Sequence, residues 1–428
     1  MKNNFKKYYQ AIQYLESFNR LPQDDYFIKK HGRQIFLKRL EYFLNLISNP
    51  HKNLKYIHIG GTAGKGSVAV MIQSILTEAG FKTGLYTSPF CTTSIEKIKV
   101  DNLLISPAEF VKIVESLKPI IDLCYQNSPF GRPSYFEIFT AIAFLYFKQK
   151  KCDYVVLEVG LGGRYDATNI IPPPKITIIN LIDYDHTEVL GSTLTKIARE
   201  KAAIIKPKTI FFTVKQNPRV LKILQTACKK NKARFNLISK PDQQYKLGLL
   251  GQHQQKNSAL AAAAGKRLGI SEAKIKAGLK KAELPCRLEI IKQKPLIILD
   301  GAHNLSKLKT TTEFIKNLTY DKLYLIIALT NQRNPKEIFN EIKSIADYIF
   351  VTRYLVHAKR AYAPKELAKK LNSKKPVEIF LDPQLALKKA LTLAKKDDLI
   401  LVTGSFYLAG ELRNIWRPEE KILKEKKV

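Results

Sequence analysis

The sequence predicts an α/β protein: a doubly wound, mainly parallel sheet followed by a smaller α/β domain. Three observations carry that prediction. Apolar runs of strand length alternate with stretches of helical periodicity. The runs YIHIG (56–60), DYVVLEV (153–159) and ITIINLI (176–182) are almost continuously apolar, as parallel strands buried on both faces require. Glycine-rich and charged clusters follow the carboxyl ends of these runs, where a doubly wound sheet opens its ligand crevice.

The elements follow in order. Residues 1–50 read as helical, with Ile12, Leu15 and Phe18, then Ile35, Leu37, Leu40, Phe43 and Leu44 at spacings of about three or four. YIHIG leads into a Gly-rich loop and a helix running through Leu76 and stopping at Gly80. FKTGLYT (81–87) is the next strand, SYFEIFTAIAFLYFK a buried helix, TLTKIAREKAAII a helix and TIFFTV (209–214) a further strand. A second series, PLIILD, LYLIIAL, YIFVT and LILVTG with helical segments between, predicts a smaller Rossmann-like α/β domain. The boundary is placed at 284–290, near Pro285, giving domains 1–286 and 287–428. The Lys-rich tail after Trp416 reads as a frayed helix.

With 428 residues and 45% hydrophobic content the chain can bury sizeable cores. The start MKNNFKKYYQ lacks the apolar stretch of a secretory signal, and no apolar run approaches the roughly 18 residues of a membrane span. Cys91, Cys124, Cys152, Cys228 and Cys286 are odd in number and scattered, so they read as reduced thiols and the chain as cytoplasmic. The formal charge of +35 suits anionic ligands, yet the basic residues are dispersed as doublets such as Lys229-Lys230 and Lys374-Lys375. That dispersal favours solvated helix faces over a nucleic-acid stripe.

The loop GTAGKGS (61–67) lies between a strand and a helix, where backbone N–H groups and the helix end attract a phosphate. Lys65 supplies a charge and Ser67 a hydroxyl for phosphate or Mg²⁺. The Walker pattern is incomplete: Ile59 stands where a Gly is expected, and Gly66 separates Lys from Ser. Three polar clusters follow other strands: Thr87-Ser88-Pro89, Glu158 leading into GLGGRYDATN, and Asp183, Asp185 and His186. A carboxylate within VVLEV is costly to bury unless it meets a cation or a donor. Glu158 reads either as a metal ligand or as the partner of Arg164, and His186 as a ligand or as a loop histidine bonded to a carboxylate. Lys201, in IAREKAAIIKP, reads on its own as a surface lysine paired with a neighbouring acid.

Taken together, IHIGGTAGKGS, GLYTSP, SYFEIFTAIAFLYF, DYVVLEVGLGGRYDATN, DYDHTEVLG, IAREKAAIIKP, LLGQHQQKNSALAA, CRLEII, IILDGAHN and LVTGSFYLAGELRN resemble the folylpolyglutamate synthase/dihydrofolate synthase family of the Mur ligase superfamily. They run in family order from about residue 5 to residue 414. The resemblance implies an ATP-dependent ligase that joins L-glutamate to a folate or dihydropteroate through an acyl phosphate. It implies that Gly61, Thr62, Gly64, Lys65, Gly66 and Ser67 hold ATP, and that Asn257, Arg287 and Asp300 contact ATP across the domain cleft, with His303 close by. Ser88, Glu158 and His186 match the family's Mg²⁺ ligands; Lys201 matches a carbamylated lysine that helps hold a second Mg²⁺. Lys65, Lys201 and His186 are the implied catalytic groups.

Several positions depart from the family wording. Ala63 stands for Asn, Phe90 for the His of SPHL, Ala203 for the Gly of REKAGI, and LTNQRNPKE for a segment reading MxDKD; CTTSIEKIKV matches ERIRVNG only in part. Two other readings remain at this stage: a Mur-type ligase with a different acceptor, and a basic nucleic-acid-binding P-loop NTPase. Against the second, no helicase-like motif set or basic-aromatic groove is present. The expected partners are small molecules, with no membrane, no specific nucleic acid and a monomeric chain.

Overall fold

A computed structural model describes residues 5–19, 32–239, 244–331, 333–355 and 360–428. Two sheets organise the chain. The first has eight strands: β1 (Tyr56–Gly60), β2 (Thr83–Tyr86), β3 (Ile98–Val100), β4 (Leu103–Leu104), β5 (Tyr154–Glu158), β6 (Ile176–Ile179), β7 (Ile210–Val214) and β8 (Arg234–Ile238). Their order across the sheet is β4-β3-β2-β5-β1-β6-β7-β8. Pairings from β2 across to β8 are parallel, and only the β2–β3 and β3–β4 pairings are antiparallel. β1 is thus central and buried along its whole length, which explains its unbroken apolar run.

The second sheet has six strands: β9 (Glu289–Gln293), β10 (Leu296–Leu299), β11 (Leu323–Ile327), β12 (Tyr348–Val351), β13 (Val377–Ile379) and β14 (Leu399–Thr403). Their order is β13-β12-β11-β14-β10-β9, and only β9 is antiparallel. The doubly wound reading holds for both sheets, and the chain is a mainly parallel α/β structure with two lobes.

Helices cover both faces of the first sheet. Helix Lys65–Glu78 packs on helices His253–Arg267 and Glu272–Lys281 in one core with Ile57, Ile59, Val156 and Ile178. Helix Tyr135–Gln149 begins with a capping box at Ser134 and Glu137 and joins the opposite core. Helices Lys6–Ser17 and Ile35–Leu46 add Tyr8, Ala11, Leu15, Leu40, Phe43 and Leu44 to that same core. Helical spacing in the first 50 residues therefore marks core-facing stripes, as periodicity predicts. The part of that stretch at 20–31 lies outside the described residues.

One expectation fails. The tail is an ordered helix, Glu419–Glu425, with Ile422 and Leu423 buried in the first lobe's core. Burying each such side chain contributes about 1.5–3 kcal/mol, enough to offset fraying in a short Lys-rich segment. Leu104 N–H also donates to Lys426 O at 2.8 Å. No long apolar run marks strands β3, β4, β8, β9 and β13, which are edge or next-to-edge strands, several broken by charged residues as in IKV, EIIKQ and VEI.

The crossing between lobes is tightly pinned. Cys286 N–H donates to Glu289 Oε2 (2.9 Å), and Arg413 Nε reaches both oxygens of the same carboxylate at 3.0 and 2.9 Å. Leu288 N–H donates to Asp300 Oδ2 at 3.1 Å. Cys286 and Leu288 hold left-handed φ values of 54° and 49°, uncommon for residues with a Cβ.

Candidate active site

The parallel strands of the first lobe deliver β1, β5 and β6 side by side, so the segments after their carboxyl ends share one crevice. After β1 the chain turns through 61–64 into helix Lys65–Glu78. Gly64 has φ +76°, and a Cβ there would lie 2.3 Å from Asn180 Nδ2 and 2.5 Å from Asn257 Oδ1. Glycine is required on both counts. Those two amides are bonded to each other at 2.7 Å, and Asn257 Nδ2 donates to Gln254 Oε1 at 2.8 Å. Asn257 thus lies against the turn, on the same lobe.

Thr62 is committed to the neighbouring loop. Its N–H donates to Leu181 O (2.8 Å) and its hydroxyl to Asp183 O (3.0 Å). Gly61 O accepts Lys201 Nζ at 3.0 Å. The first N–H answered within the helix is that of Val68, to Gly64 O. The N–H groups of Lys65, Gly66 and buried Ser67 therefore stand at the helix mouth, where the macrodipole favours an anion.

Glu158 ends β5 beside Ile59 and is 6% exposed. Burial raises its carboxyl above the ordinary range; Lys65, the 3.1 Å hydrogen bond from Ser88 N–H, Arg287 and Lys307 pull the other way. The expected alternative, pairing with Arg164, is not formed: Arg164 Nε bonds Glu200 Oε1 at 3.0 Å. Lys201 is likewise no surface lysine. It is 4% exposed, and burial followed by the charge of Lys65 pushes its amine down to about 7, against Asp185 and Asp166. Gly163 lets the GLGG turn press onto this helix, since a Cβ there would meet Glu200 O at 2.8 Å and Lys201 Cα at 3.1 Å.

His186 sits at a left-handed backbone position, φ 51°, its ring 3.5 Å from Glu188 and 4.0 Å from Asp185. Burial works to raise the Asp185 carboxyl, and His186, Lys307, Arg333 and Lys65 together hold it below its usual range. Asp185 also reaches the second lobe, to Arg333 at 3.5 Å and to Asn304 Nδ2 at 3.5 Å.

From that lobe, the segments after the carboxyl ends of β10, β11 and β14 face the same crevice through 300–307, 328–331 and 404–406, with Arg333 reaching Asp185. Asp300 is occupied internally: Oδ1 accepts Ala302 N–H (3.0 Å) and the Thr311 hydroxyl (2.8 Å), while Oδ2 takes Leu288 N–H. Arg287 lies 4.1 Å over the Phe406 ring. His303 Nδ1 is 2.7 Å from Gly301 O and Nε2 is 3.1 Å from Lys307 Nζ. Burial, then the charges of Arg287 and Lys65, push Lys307 down to about 7, against Asp185.

The structure therefore brings Lys65, Glu158, Ser88, Asp185, Lys201, Arg287 and His303 to one crevice, with Asn257 and Asp300 beside it and hydrogen-bonded within their own lobes. It adds Asn180, Lys307 and Arg333, which the sequence reading did not single out. Lys307 carried a signal, standing four residues after His303 on a helix that Asn304 caps. Arg333 carried none, lying in the stretch that departs from family wording.

Among the described residues no three His, Cys, Asp or Glu side chains form a ready metal cage. Mg²⁺ needs none, because it keeps waters and takes substrate phosphates alongside one or two carboxylates. Desolvated Glu158, with Ser88 against it and the helix mouth beside it, fits that mode.

Comparison with known proteins points the same way. Residues 59–227 match the Mur ligase middle domain, and 286–406 match the Mur ligase glutamate ligase domain. The chain is 31% identical to the dihydrofolate synthase/folylpolyglutamate synthase of Bacillus subtilis, over 90% of this chain and 96% of that protein. Folylpolyglutamate synthase of Mycobacterium tuberculosis, solved with ADP, superposes with a TM-score of 0.87 at 26% identity, over 96% of this chain and 98% of that one. The Thermotoga maritima enzyme gives 0.78 at 33% identity, over 92% and 95%.

Proposed function

The chain belongs to the dihydrofolate synthase/folylpolyglutamate synthase family, and from that premise we propose which of its residues carry the ligase reaction and in what roles. It is an ATP-dependent ligase that forms an amide between L-glutamate and a folate or dihydropteroate carboxylate. The observation that carries the reading is the open mouth of helix Lys65–Glu78, with Lys65 beside it and desolvated Glu158 facing it.

The N–H groups of Lys65, Gly66 and Ser67 bind the triphosphate, and Lys65 neutralises charge on the transferring phosphoryl group. The acceptor carboxylate attacks the γ-phosphorus, the bond to the β-γ bridging oxygen breaks, and ADP leaves. The glutamate amine then attacks the acyl carbon, phosphate departs, and the amine sheds a proton. An acyl phosphate hydrolyses readily, so the second lobe closes over the crevice to exclude water. Arg287 and Arg333 line the closing side.

Glu158, Ser88 and His186 would hold Mg²⁺, and Lys201 as its carbamate would help hold a second ion. Mg²⁺ supplies charge neutralisation at the phosphates. The state of Lys201 supports its part: a buried amine near 7 has its lone pair free in much of the population, and addition to CO₂ forms a carbamate and releases one proton. Domains 1–286 and 287–428, a monomeric chain, cytoplasmic residence and the absence of a nucleic-acid partner belong to the same reading. No described helix is long and apolar enough to cross a membrane.

The test is ADP release with Mg²⁺ and L-glutamate, comparing dihydropteroate with tetrahydrofolate. ADP formation that requires glutamate and one or both acceptors is expected. ADP release driven by nucleic acid and indifferent to glutamate sinks the reading.

A further inference from the structure

Lys65, Arg287, Lys307 and Arg333 converge on the crevice with two carboxylates, Glu158 and Asp185, among their charged neighbours. Asp185 is already shared between Arg333 and Asn304. Positive charge exceeds negative in a desolvated space, and an anion is what such a space lacks.

We propose that Lys307 is a phosphoryl-binding residue of the reaction, gripping the transferring phosphoryl group from the second lobe opposite Lys65, and that His303 is the positioning residue that aims it. The proposal rests on the ATP-dependent ligase reading.

The local geometry assigns the two roles. Asn304 Oδ1 accepts the N–H of Lys307 at 3.0 Å, starting helix Leu305–Lys316. Helical side chains lean towards the N-terminus, so Lys307 points out of the helix mouth into the crevice. His303 Nδ1 faces Gly301 O at 2.7 Å. A carbonyl only accepts, so this network assigns the ring proton to Nδ1. Burial and the neighbouring Lys307 charge keep the ring neutral, its value well below the ordinary range. Nε2 then carries a lone pair, which accepts from Lys307 Nζ at 3.1 Å. His303 has no N–H left to offer a phosphate. An arriving phosphate favours the protonated form of Lys307, and that ammonium, held by His303, keeps two N–H bonds to give. Asn304, which caps the same helix, reaches Asp185 of the first lobe at 3.5 Å, so the helix mouth that carries Lys307 faces the first lobe's loops. A phosphoryl oxygen there receives a charge-assisted bond from each lobe.

Calorimetric binding of ADP and of the non-hydrolysable ATP analogue AMPPCP tests this without requiring turnover, so it is separable from failure of the ligase reading, which shows as absent glutamate-dependent ADP release. Lys307→Met is expected to weaken AMPPCP at least about tenfold, a charge-assisted bond's worth, with ADP affinity and the KM for L-glutamate held. Lys307→Arg keeps the cation and is expected to retain AMPPCP within about threefold. His303→Ala is expected to weaken AMPPCP too, and the double variant with Lys307→Met to add little, because the two act as one unit. Equal losses for ADP and AMPPCP, a loss confined to the KM for glutamate, or Lys307→Arg as damaged as Lys307→Met would each overturn the proposal. Additive losses in the double variant would overturn the role given to His303.

Discussion

The two lobes meet the crevice with opposite means of arranging charge. On the first lobe the chain presents backbone N–H groups at a helix mouth, held in shape by Gly64 against the Asn180–Asn257 pair, with Lys65 partly exposed beside them. On the second lobe the backbone recedes and side chains act, each fixed by another: Asp300 by Ala302, Thr311 and Leu288, His303 by Gly301, Lys307 by His303. The first arrangement tolerates loss of a side chain structurally while failing chemically. The second loses both together, since its functional groups are part of the packing.

The largest expected effect sets these two apart directly. Lys65→Ala abolishes turnover, a fall on the order of a thousandfold, with little change in melting temperature, because partly exposed Lys65 sits in a loop-to-helix turn. His186→Ala, half-exposed in its loop, behaves the same way. Asp300→Ala instead strands the N–H groups of Leu288 and Ala302, leaves the Thr311 hydroxyl only its bond to Lys307 O, and costs about 3 kcal/mol of stability. Paired thermal melts and single-turnover assays measure both. A Lys65→Ala protein that melts like Asp300→Ala would erase the contrast.

Lys201 sharpens it, being a first-lobe side chain buried like those of the second. Lys201→Ala should be nearly inactive, and small carboxylic acids at high concentration should restore part of the rate by standing in for the carbamate anion. Wild-type rates in the variant, or no carbamate carbonyl signal by NMR of fully active protein equilibrated with ¹³C-bicarbonate, would refute the assignment.

The smallest effect concerns Ala63, whose N–H makes only a long 3.4 Å contact to Leu181 O. An Asn there adds a side-chain donor at the phosphate loop. A bond to a charged group is worth roughly 1.5–3 kcal/mol, but the N–H cradle and Lys65 already supply most of the anion binding. Ala63→Asn should therefore raise the rate at subsaturating ATP only several-fold. An unchanged or lower rate would mean that the loop is built around Ala63, with Phe90 and Ala203 parts of the same altered design.

What was legible in the sequence follows from the same division. Buried parallel strands cannot hide, so β1, β5, β6, β10, β11 and β14 and the loops at their ends could be read from apolar runs alone. Glu158 announced itself as a charge inside VVLEV. Tertiary burial was not legible: nothing local says that Lys201 is desolvated while adjacent Glu200 serves Arg164 at the surface. Nor does the sequence say that Asn257 turns both ends of its amide inward. Arg333 reaches Asp185 only because two lobes fold together, a contact 148 residues apart that no periodicity reports. The tail failed for a related reason, since Ile422 and Leu423 find their core in helices at the other end of the chain.

That returning tail bears on how the crevice shuts. The second lobe leaves the first near Cys286, and the chain comes back after Arg413, where Glu289 clasps both crossings. The lobe is bound along one edge, like a page at its spine. A lobe on a single thread explores many orientations, and substrate must select one; a lobe bound at two adjacent points has little choice but to swing about the line joining them. Most of the rotational freedom that closure costs is thus surrendered when the protein folds, and little of what ATP and its co-substrates contribute on binding goes to finding the closed state.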